Sequence, residues 1–417
     1  MPKIIIHSLI FSPDGVSTAY LYNDIALRFR DEGYDVVVVT TTPHFNKVHE
    51  ALEQQPLKPR AFGVFYESNF QGIRVQHVPQ RKFSSTLLRI VGFIYWHVVS
   101  FFLILAERKV DVILSPSPPL SIGLVNIVLA KLKGCKVVYN VQEIYPDLLI
   151  ESKGLRSSVL IALLKWVERM VYRHSDAVAT IDQMFYQTIE PRFADPSRLH
   201  IIPNFVDTSL YRQLQPDELL AGTNIFEDTT ALKVMYAGNI GHAQDWQTFV
   251  EVADAVRDRN IRFYVIGEGV EKNDLESQIA RRKLTNVFLL PYQPRETIPG
   301  LLSWSDVQFI FMHPSTEAHG FPSKVYTIMA CARPLLVSSG EGTPIVHFLE
   351  GKQCAKVVTV GDAQERVEQL TGILANTPIE EWRSAGHHGH RYIEENYTKE
   401  KVTGQYVQLV EKVIGKQ

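Results

Sequence analysis

Cysteine is scarce, with three residues in 417, Cys135, Cys331 and Cys354. None belongs to a CxxC pair and any disulfide scheme leaves one over, so a disulfide framework and a structural zinc site are both excluded and a reducing compartment fits. No DxD occurs, and no spacing of His, Asp and Glu resembles a metal site; His387, His388 and His390 lie in a polar stretch and read as surface. Neither a divalent cation nor another cofactor is expected. The opening MPKIIIHSLIF is too short in its apolar part for a signal peptide and lacks a small-residue cleavage site, so it reads as the first strand of a cytosolic protein. No GxGxxG follows it and the second strand runs into Thr-Thr-Thr-Pro-His, which argues against a nicotinamide-dependent oxidoreductase. Net charge is only −2 and no nucleic-acid partner is expected, but the balance is uneven. Residues 1–200 carry 22 Lys and Arg against 18 Asp and Glu, and the remainder 21 against 27.

What is present is a long alternation of short β-branched runs with amphipathic stretches, the pattern of parallel βαβ units. Strands are expected at 4–10, 36–40, 74–78, 110–114, 136–141, 177–181 and 199–202, then, after a turn-rich stretch at 207–230, at 232–237, 262–266, 287–290, 306–311, 334–337 and 355–360. The chain is long enough for two or three domains, and two doubly wound α/β domains joined near residue 205 are the economical expectation.

Ligands of such sheets bind at the carboxyl ends of the strands, and four loops there stand out. Ser12–Thr18, with Gly15, leads from the first strand into a helix; its amides suit an anion, and a helix-capping turn has the same composition. Tyr236–Trp246 offers Gly238 and Gly241 for close backbone approach, and Asn239 and Gln244 as donors. Gly267-Glu268-Gly269 fits a phosphate loop and a plain turn equally. The fourth, Pro322-Ser323-Lys324, heads an apolar helical run. Proline suits a first helical turn, Ser323 can cap it, and a lysine is disfavoured at that end unless an anion answers it, so the triplet reads as a pyrophosphate cradle.

Several segments together carry a resemblance: PNFVD (203–207), YAGNIGHAQDWQTFVEVADAV (236–256), FYVIGEGVEKNDL (263–275), the Pro291–Val307 run with Tyr292, and PSKVYTIMACARP (322–334). Over nearly its whole length the chain resembles family-4 retaining glycosyltransferases of the GT-B fold, in the branch that builds bacterial surface polysaccharides such as O-antigen and colanic acid, including L-fucosamine transferases. The resemblance implies two Rossmann-like domains facing a central cleft: an acceptor-binding domain at 1–205, a nucleotide-sugar-binding domain at 206–395, and a helix at 396–417 that crosses back to the first. It implies transfer of a hexosyl or N-acetylhexosaminyl group from a nucleotide sugar, a UDP sugar being favoured, and attack on the same face with a donor phosphate oxygen taking the proton. Gly15, Gly238, Asn239, Gly241, Gln244, Gly267, Tyr292, Ser323, Lys324 and Thr327 are placed at the donor. The family's two glutamates, eight residues apart, are replaced by His319 and Thr327; Glu317 is two residues away and is the alternative sugar contact. The family's Arg and Lys on the second-domain glycine loop are missing, which leaves Lys324 as the main cation for the diphosphate. A nucleotide-sugar 2-epimerase of the same architecture and a non-catalytic nucleotide-sugar-binding protein are the rival readings.

On the acceptor side Gln142 and Glu143 follow a strand where relatives carry His or Gln followed by Asp. A carboxylate there suits orientation of an acceptor hydroxyl, and a helix-start role fits it as well. Ser115–Pro119 is read as wall, not as catalytic. The apolar run 90–106 is preceded by Arg81, Lys82 and Arg89 and followed by Arg108 and Lys109. With strands of one sheet expected on either side it does not span a bilayer, and because both its faces are apolar it is expected in the core. Residues 156–174, with Arg156, Lys165, Arg169 and Arg173 around aliphatic positions and Trp166, suit a membrane interface. Peripheral attachment to anionic lipid at the inner face of the cytoplasmic membrane, and a polyprenyl-diphosphate-linked saccharide acceptor, are the expectations.

Overall fold

The computed structural model describes residues 1–46, 49–82, 85–151, 154–214, 218, 230–318 and 321–415. Two compact units divide the chain: Met1–Asn204 with Glu400–Gln417, and Phe205–Lys399.

The first unit is built on β1 (Lys3–His7), β2 (Asp35–Thr41), β3 (Lys58–Arg60), β4 (Phe65–Phe70), β5 (Ile73–Val78), β6 (Val112–Pro116), β7 (Lys136–Val141), β8 (Ala177–Thr180) and β9 (Leu199–Ile201). They form one sheet in the order β3-β4-β5-β2-β1-β6-β7-β8-β9, parallel except where β4 pairs with β3 and β5. Its central strands are covered on both faces, which is why KIIIH and DVVVVTT read as continuous rather than alternating apolar runs. The β3–β4 ribbon has no counterpart among the expected strands. Its sequences, Lys-Pro-Arg and Phe-Tyr-Glu-Ser-Asn-Phe, hold no β-branched residue and are largely open to solvent, so nothing apolar marks them.

The run at 90–106 departs from expectation most. It forms the helix Thr86–Ala106, long and apolar enough to cross a membrane, yet it joins β5 to β6 of one sheet and is not in the core. Only Trp96, Ser100 and Ile104 are buried, while Leu87 is 69% and Phe102 61% exposed. One seam of the helix is enough to anchor it against the helix Leu120–Lys133, which in turn packs on Ser158–His174. All three leave apolar side chains outside: Ile94 on the first, Leu132 on the second, Val159, Leu163 and Trp166 on the third. On that third helix Lys165, Arg169 and Arg173 are exposed, as is Arg156 just before it, and only Glu168, Val171 and Tyr172 are buried.

The second unit has β10 (Leu232–Ala237), β11 (Ile261–Ile266), β12 (Val287–Leu290), β13 (Val307–Phe311), β14 (Leu335–Ser338) and β15 (Ala355–Val358). All pair in parallel, in the order β12-β11-β10-β13-β14-β15. An aromatic-rich core of Trp246, Phe249, Phe263, Phe309 and Phe311 fills one side, and a second cluster around Val325, Ile328 and Met329 seats the helix Lys324–Ala330 on the other. The histidine stretch at 387–390 is part of the helix Ile379–Asn396; His387 is exposed as expected, whereas His390 Nδ1 meets the Ala330 carbonyl at 2.8 Å and helps pack the helix. The three cysteines are buried and unpaired.

Candidate active site

In the second sheet the strand order reverses between β10 and β13, and a doubly wound sheet binds its ligand at the carboxyl ends flanking that reversal. The two loops concerned are the one after β10, which contains Gly238, and the one after β13, which ends in Lys324. Lys324 joins them. Its Nζ donates to the Ala237 carbonyl at 3.0 Å and lies 3.8 Å from the centre of the Tyr236 ring. No carboxylate of the described residues pairs with it, and burial alone pulls its pKa from 10.5 down to about 7. A lysine held this way is a cation short of an anion. Gly238 makes the approach possible, because a Cβ there would stand 2.5 Å from Nζ.

Around Lys324 the loops are tied to one another. Gly267, at φ +150°, lets the loop after β11 lie directly on the loop after β10: a Cβ would sit 1.9 Å from the Gly238 carbonyl oxygen. That close approach accounts for a glycine at 267. The Tyr236 hydroxyl donates to Asn239 O at 2.6 Å. Asp245 N donates to Phe311 O at 3.1 Å and His313 N to Ala243 O at 2.9 Å, which fastens the loop after β13 to the loop after β10.

Several site residues turn out to be committed to this scaffold. With its amide nitrogen turned toward them, Gln244 donates to the carbonyls of Gly241 at 3.2 Å and Asn239 at 3.0 Å, so it holds its own loop in shape. Glu317 accepts from Gly340 N at 2.7 Å and Ser339 Oγ at 3.2 Å, tying its loop to the end of β14. Ser323 does not cap by its side chain: it sits in helical conformation and stays exposed, because the first turn effectively starts at Pro322, whose carbonyl accepts from Val325 N at 3.0 Å. Thr327 Oγ1 bonds back to Lys324 O at 2.9 Å. Asn239 and Tyr292 are exposed at strand ends, and Gly241 is buried beneath Asn239. His319 lies outside the described residues.

In the first unit the loop Ser12–Thr18 differs from expectation. Gly15 N is already donated to Asn46 O at 2.8 Å, so its amide is not open to an anion. Buried Asp14 instead accepts from the amides of His44 at 3.0 Å, Phe45 at 2.9 Å and Asn46 at 2.7 Å. Gln142 and Glu143 part company. Gln142 exchanges both amide bonds with Asn204, at 3.1 and 3.0 Å, and donates to Asn140 Oδ1 at 2.6 Å. Glu143 keeps a partly exposed side chain while Ser117 Oγ accepts from its backbone N at 3.2 Å. Burial and the nearby Glu143 carboxylate hold the Tyr145 hydroxyl well above its ordinary pKa. Gln142 is thus committed to the loop that Asn204 closes, while the Glu143 carboxylate meets the Tyr145 hydroxyl and stays partly open to solvent.

Comparison with known proteins then decides the class. A glycosyl transferase 4-like domain matches residues 18–204, and the glycosyl transferases group 1 domain matches residues 231–376. The chain is a glycosyltransferase of this family. It is 25% identical over 358 residues to an Escherichia coli (strain K12) protein named as a colanic acid biosynthesis glycosyl transferase, covering 84% of this chain and 86% of that one. Among solved structures it is similar to sucrose-phosphate synthase from Thermosynechococcus elongatus, at TM-score 0.75 and 13% identity over 100% of both chains. It is also similar to Anabaena Alr3699/HepE in complex with UDP and glucose, at TM-score 0.66 and 15% identity over 99% of this chain and 100% of that one. At such identities the likeness is one of fold, the GT-B fold with its two Rossmann-like units.

For this glycosyltransferase sequence reasoning assigns no role to Tyr236, Asp14 or Asn204, and reads Ser117 only as wall. Tyr236 reads in the sequence as one more strand aromatic, and Asn204 as part of a motif without a stated role; only the fold brings each to its partner. The contact between the two glycine loops yields a direct test. Gly267→Ala must part Gly267 from Gly238, and should cost on the order of 2–3 kcal/mol of stability in urea unfolding. A cost below about 0.5 kcal/mol would show that the loops are free to separate.

Proposed function

We propose that this glycosyltransferase moves a sugar, with retention, from a UDP sugar to a lipid-linked saccharide at the cytoplasmic face of a membrane, in the synthesis of a surface polysaccharide. The observation that carries the donor side is Lys324, an ammonium desolvated at the sheet's reversal point with a backbone carbonyl and a ring but, among the described residues, no carboxylate against it. A diphosphate supplies the missing negative charge, and a cation fixed in place before reaction stabilises the charge that develops as the glycosidic C–O bond breaks. The acceptor hydroxyl forms the new bond to the anomeric carbon on the face the diphosphate leaves, and its proton passes to a donor phosphate oxygen. Glu143 is assigned the orienting of that hydroxyl. The UDP and glucose bound to the Anabaena neighbour, and the colanic acid pathway in the name of the Escherichia coli relative, support the donor and product classes.

The acceptor side rests on the exposed apolar helices of the first unit and the bases Lys165, Arg169 and Arg173 beside them. Basic groups near an anionic leaflet contribute about 1 kcal/mol each, and attraction of this kind fades within a Debye length. A lipid-linked acceptor never leaves the bilayer, so an enzyme held at that surface meets it there.

Two measurements follow. Lys324→Ala should lower turnover by about 10² or more and weaken UDP binding while circular dichroism shows the fold intact; near-normal turnover removes the cradle. In liposome flotation the wild type should require anionic lipid and fall off as salt rises, and Arg169→Glu with Arg173→Glu should release it while leaving UDP binding intact. Flotation of that double variant equal to wild type would remove this helix as the attachment face, and a wild type that ignores anionic vesicles would remove the membrane-held acceptor.

A further inference from the structure

We propose that a basic, aromatic-walled pocket in the first unit is the subsite for the diphosphate of an isoprenoid acceptor. The inference rests on the reading of the acceptor as lipid-linked, and adds to it where on this unit the charged end of the lipid is held.

The pocket has a volume of about 430 Å³. One part of its lining is Arg81, Lys82 and Arg89, and the other is Phe45, Phe93 and Trp96. No carboxylate of the described residues forms an ion pair with any of the three bases, although elsewhere in the unit Lys3, Arg60, Arg74, Lys136 and Arg192 are all paired. Lys82 Nζ donates to the Phe45 carbonyl at 3.1 Å and one Arg89 nitrogen to Thr86 Oγ1 at 3.1 Å, so the known partners of these bases are neutral. Three positive groups converge on one concavity, and nothing in the described chain neutralises them.

The walls are built to keep their shape. The carboxylate of Asp14 collects the amides of His44, Phe45 and Asn46, which fixes the wall that follows β2. Gln80 N donates to Thr42 Oγ1 at 2.9 Å, and the Gln80 side chain donates to Gly92 O, which joins the segment after β5 both to that wall and to the Thr86–Ala106 helix. Trp96 is fully buried and seats the helix beneath the pocket. A cavity held from three elements before any ligand arrives loses little conformational freedom on binding.

The charge and the apolar wall together select the ligand. Three bases match the two to three negative charges of a diphosphate, and arginine's planar fork suits phosphate oxygens. A free anion has no use for Phe93, and a neutral lipid has none for the bases. Moreover, Phe93 belongs to the helix whose Ile90, Ile94 and Val98, spaced four apart, form an exposed apolar row, so a chain attached to the anion has an apolar surface to follow away from the pocket. An isoprenoid diphosphate carries both features on one molecule.

The test uses the full chain with UDP held at saturation, which keeps a diphosphate out of the donor site at Lys324. Farnesyl diphosphate, farnesol and inorganic diphosphate are titrated calorimetrically into wild type, Arg81→Gln with Arg89→Gln, and Phe93→Ser. Wild type should bind farnesyl diphosphate at least about tenfold more tightly than either fragment. The arginine pair should lose at least about tenfold for farnesyl diphosphate, and Phe93→Ser should lose affinity for farnesyl diphosphate but not for inorganic diphosphate. Equal binding by the arginine pair and wild type overturns the pocket assignment. Inorganic diphosphate as tight as farnesyl diphosphate reduces the site to one for a free anion, and farnesol as tight reduces it to an apolar groove; either result overturns the proposal. UDP affinity, measured separately on each protein, should be unchanged. If UDP binds normally and the pocket variants behave as wild type, only the pocket assignment falls, whereas failure of wild type to bind UDP removes the donor reading on which the wider proposal stands.

Discussion

One desolvated ammonium organises the second unit. Lys324 is fixed against the Ala237 carbonyl and the Tyr236 ring, with no carboxylate of the described residues beside it, at the point where the sheet reverses its order. Burying a cation this way costs folding free energy, and the sign is clear from the shift. A lysine lowered from 10.5 to about 7 destabilises the fold below the lower value, and that cost disappears as pH rises toward the upper one. Such a cost is understandable where a ligand later removes it. The surrounding structure follows from the need to keep Nζ in place: Gly238 leaves room for it, Gly267 presses a second loop on the first, and the Val325, Ile328 and Met329 cluster seats the helix that carries it.

The first unit solves a different problem with related means. Asp14 and Gln142 are spent on holding loops, the first for 44–46 and the second for Asn204. Glu143 keeps a partly open side chain, and no carboxylate of the described residues pairs with the bases at 81, 82 and 89 beside an apolar helix. Rigid loops and uncommitted charge in the same unit are what recognition of an anionic amphiphile requires, since the ligand then meets groups that need not be rearranged.

Much of this was legible in the sequence, and what was not has identifiable causes. β7, β10 and β12 fall on the expected residues because short apolar runs bounded by polar and turn residues mark strands, and Lys324 stands out because a lysine at a helix start needs an explanation. The run 90–106 reads as core in the sequence because periodicity shows only that both faces are apolar; whether a protein or a lipid covers them is decided by neighbours distant in sequence. Gly15, Gln244 and Glu317 carry the side chains and amides that bind ligands, and the same groups close loops. Which role each plays depends on carbonyls and amides supplied by other strands, at Asn46, Gly241 and Gly340, and no local pattern announces them.

The central claim, that Lys324 is a cation held short of its anion, is tested most directly by titrating its ammonium. With lysine labelled at ¹³Cε and the Lys324 signal assigned by its loss in Lys324→Arg, the free protein should show a midpoint near 7 and the UDP-bound protein a midpoint at least about one unit higher. A midpoint near 10.5 in the free protein, or one that UDP leaves unmoved, would contradict the account.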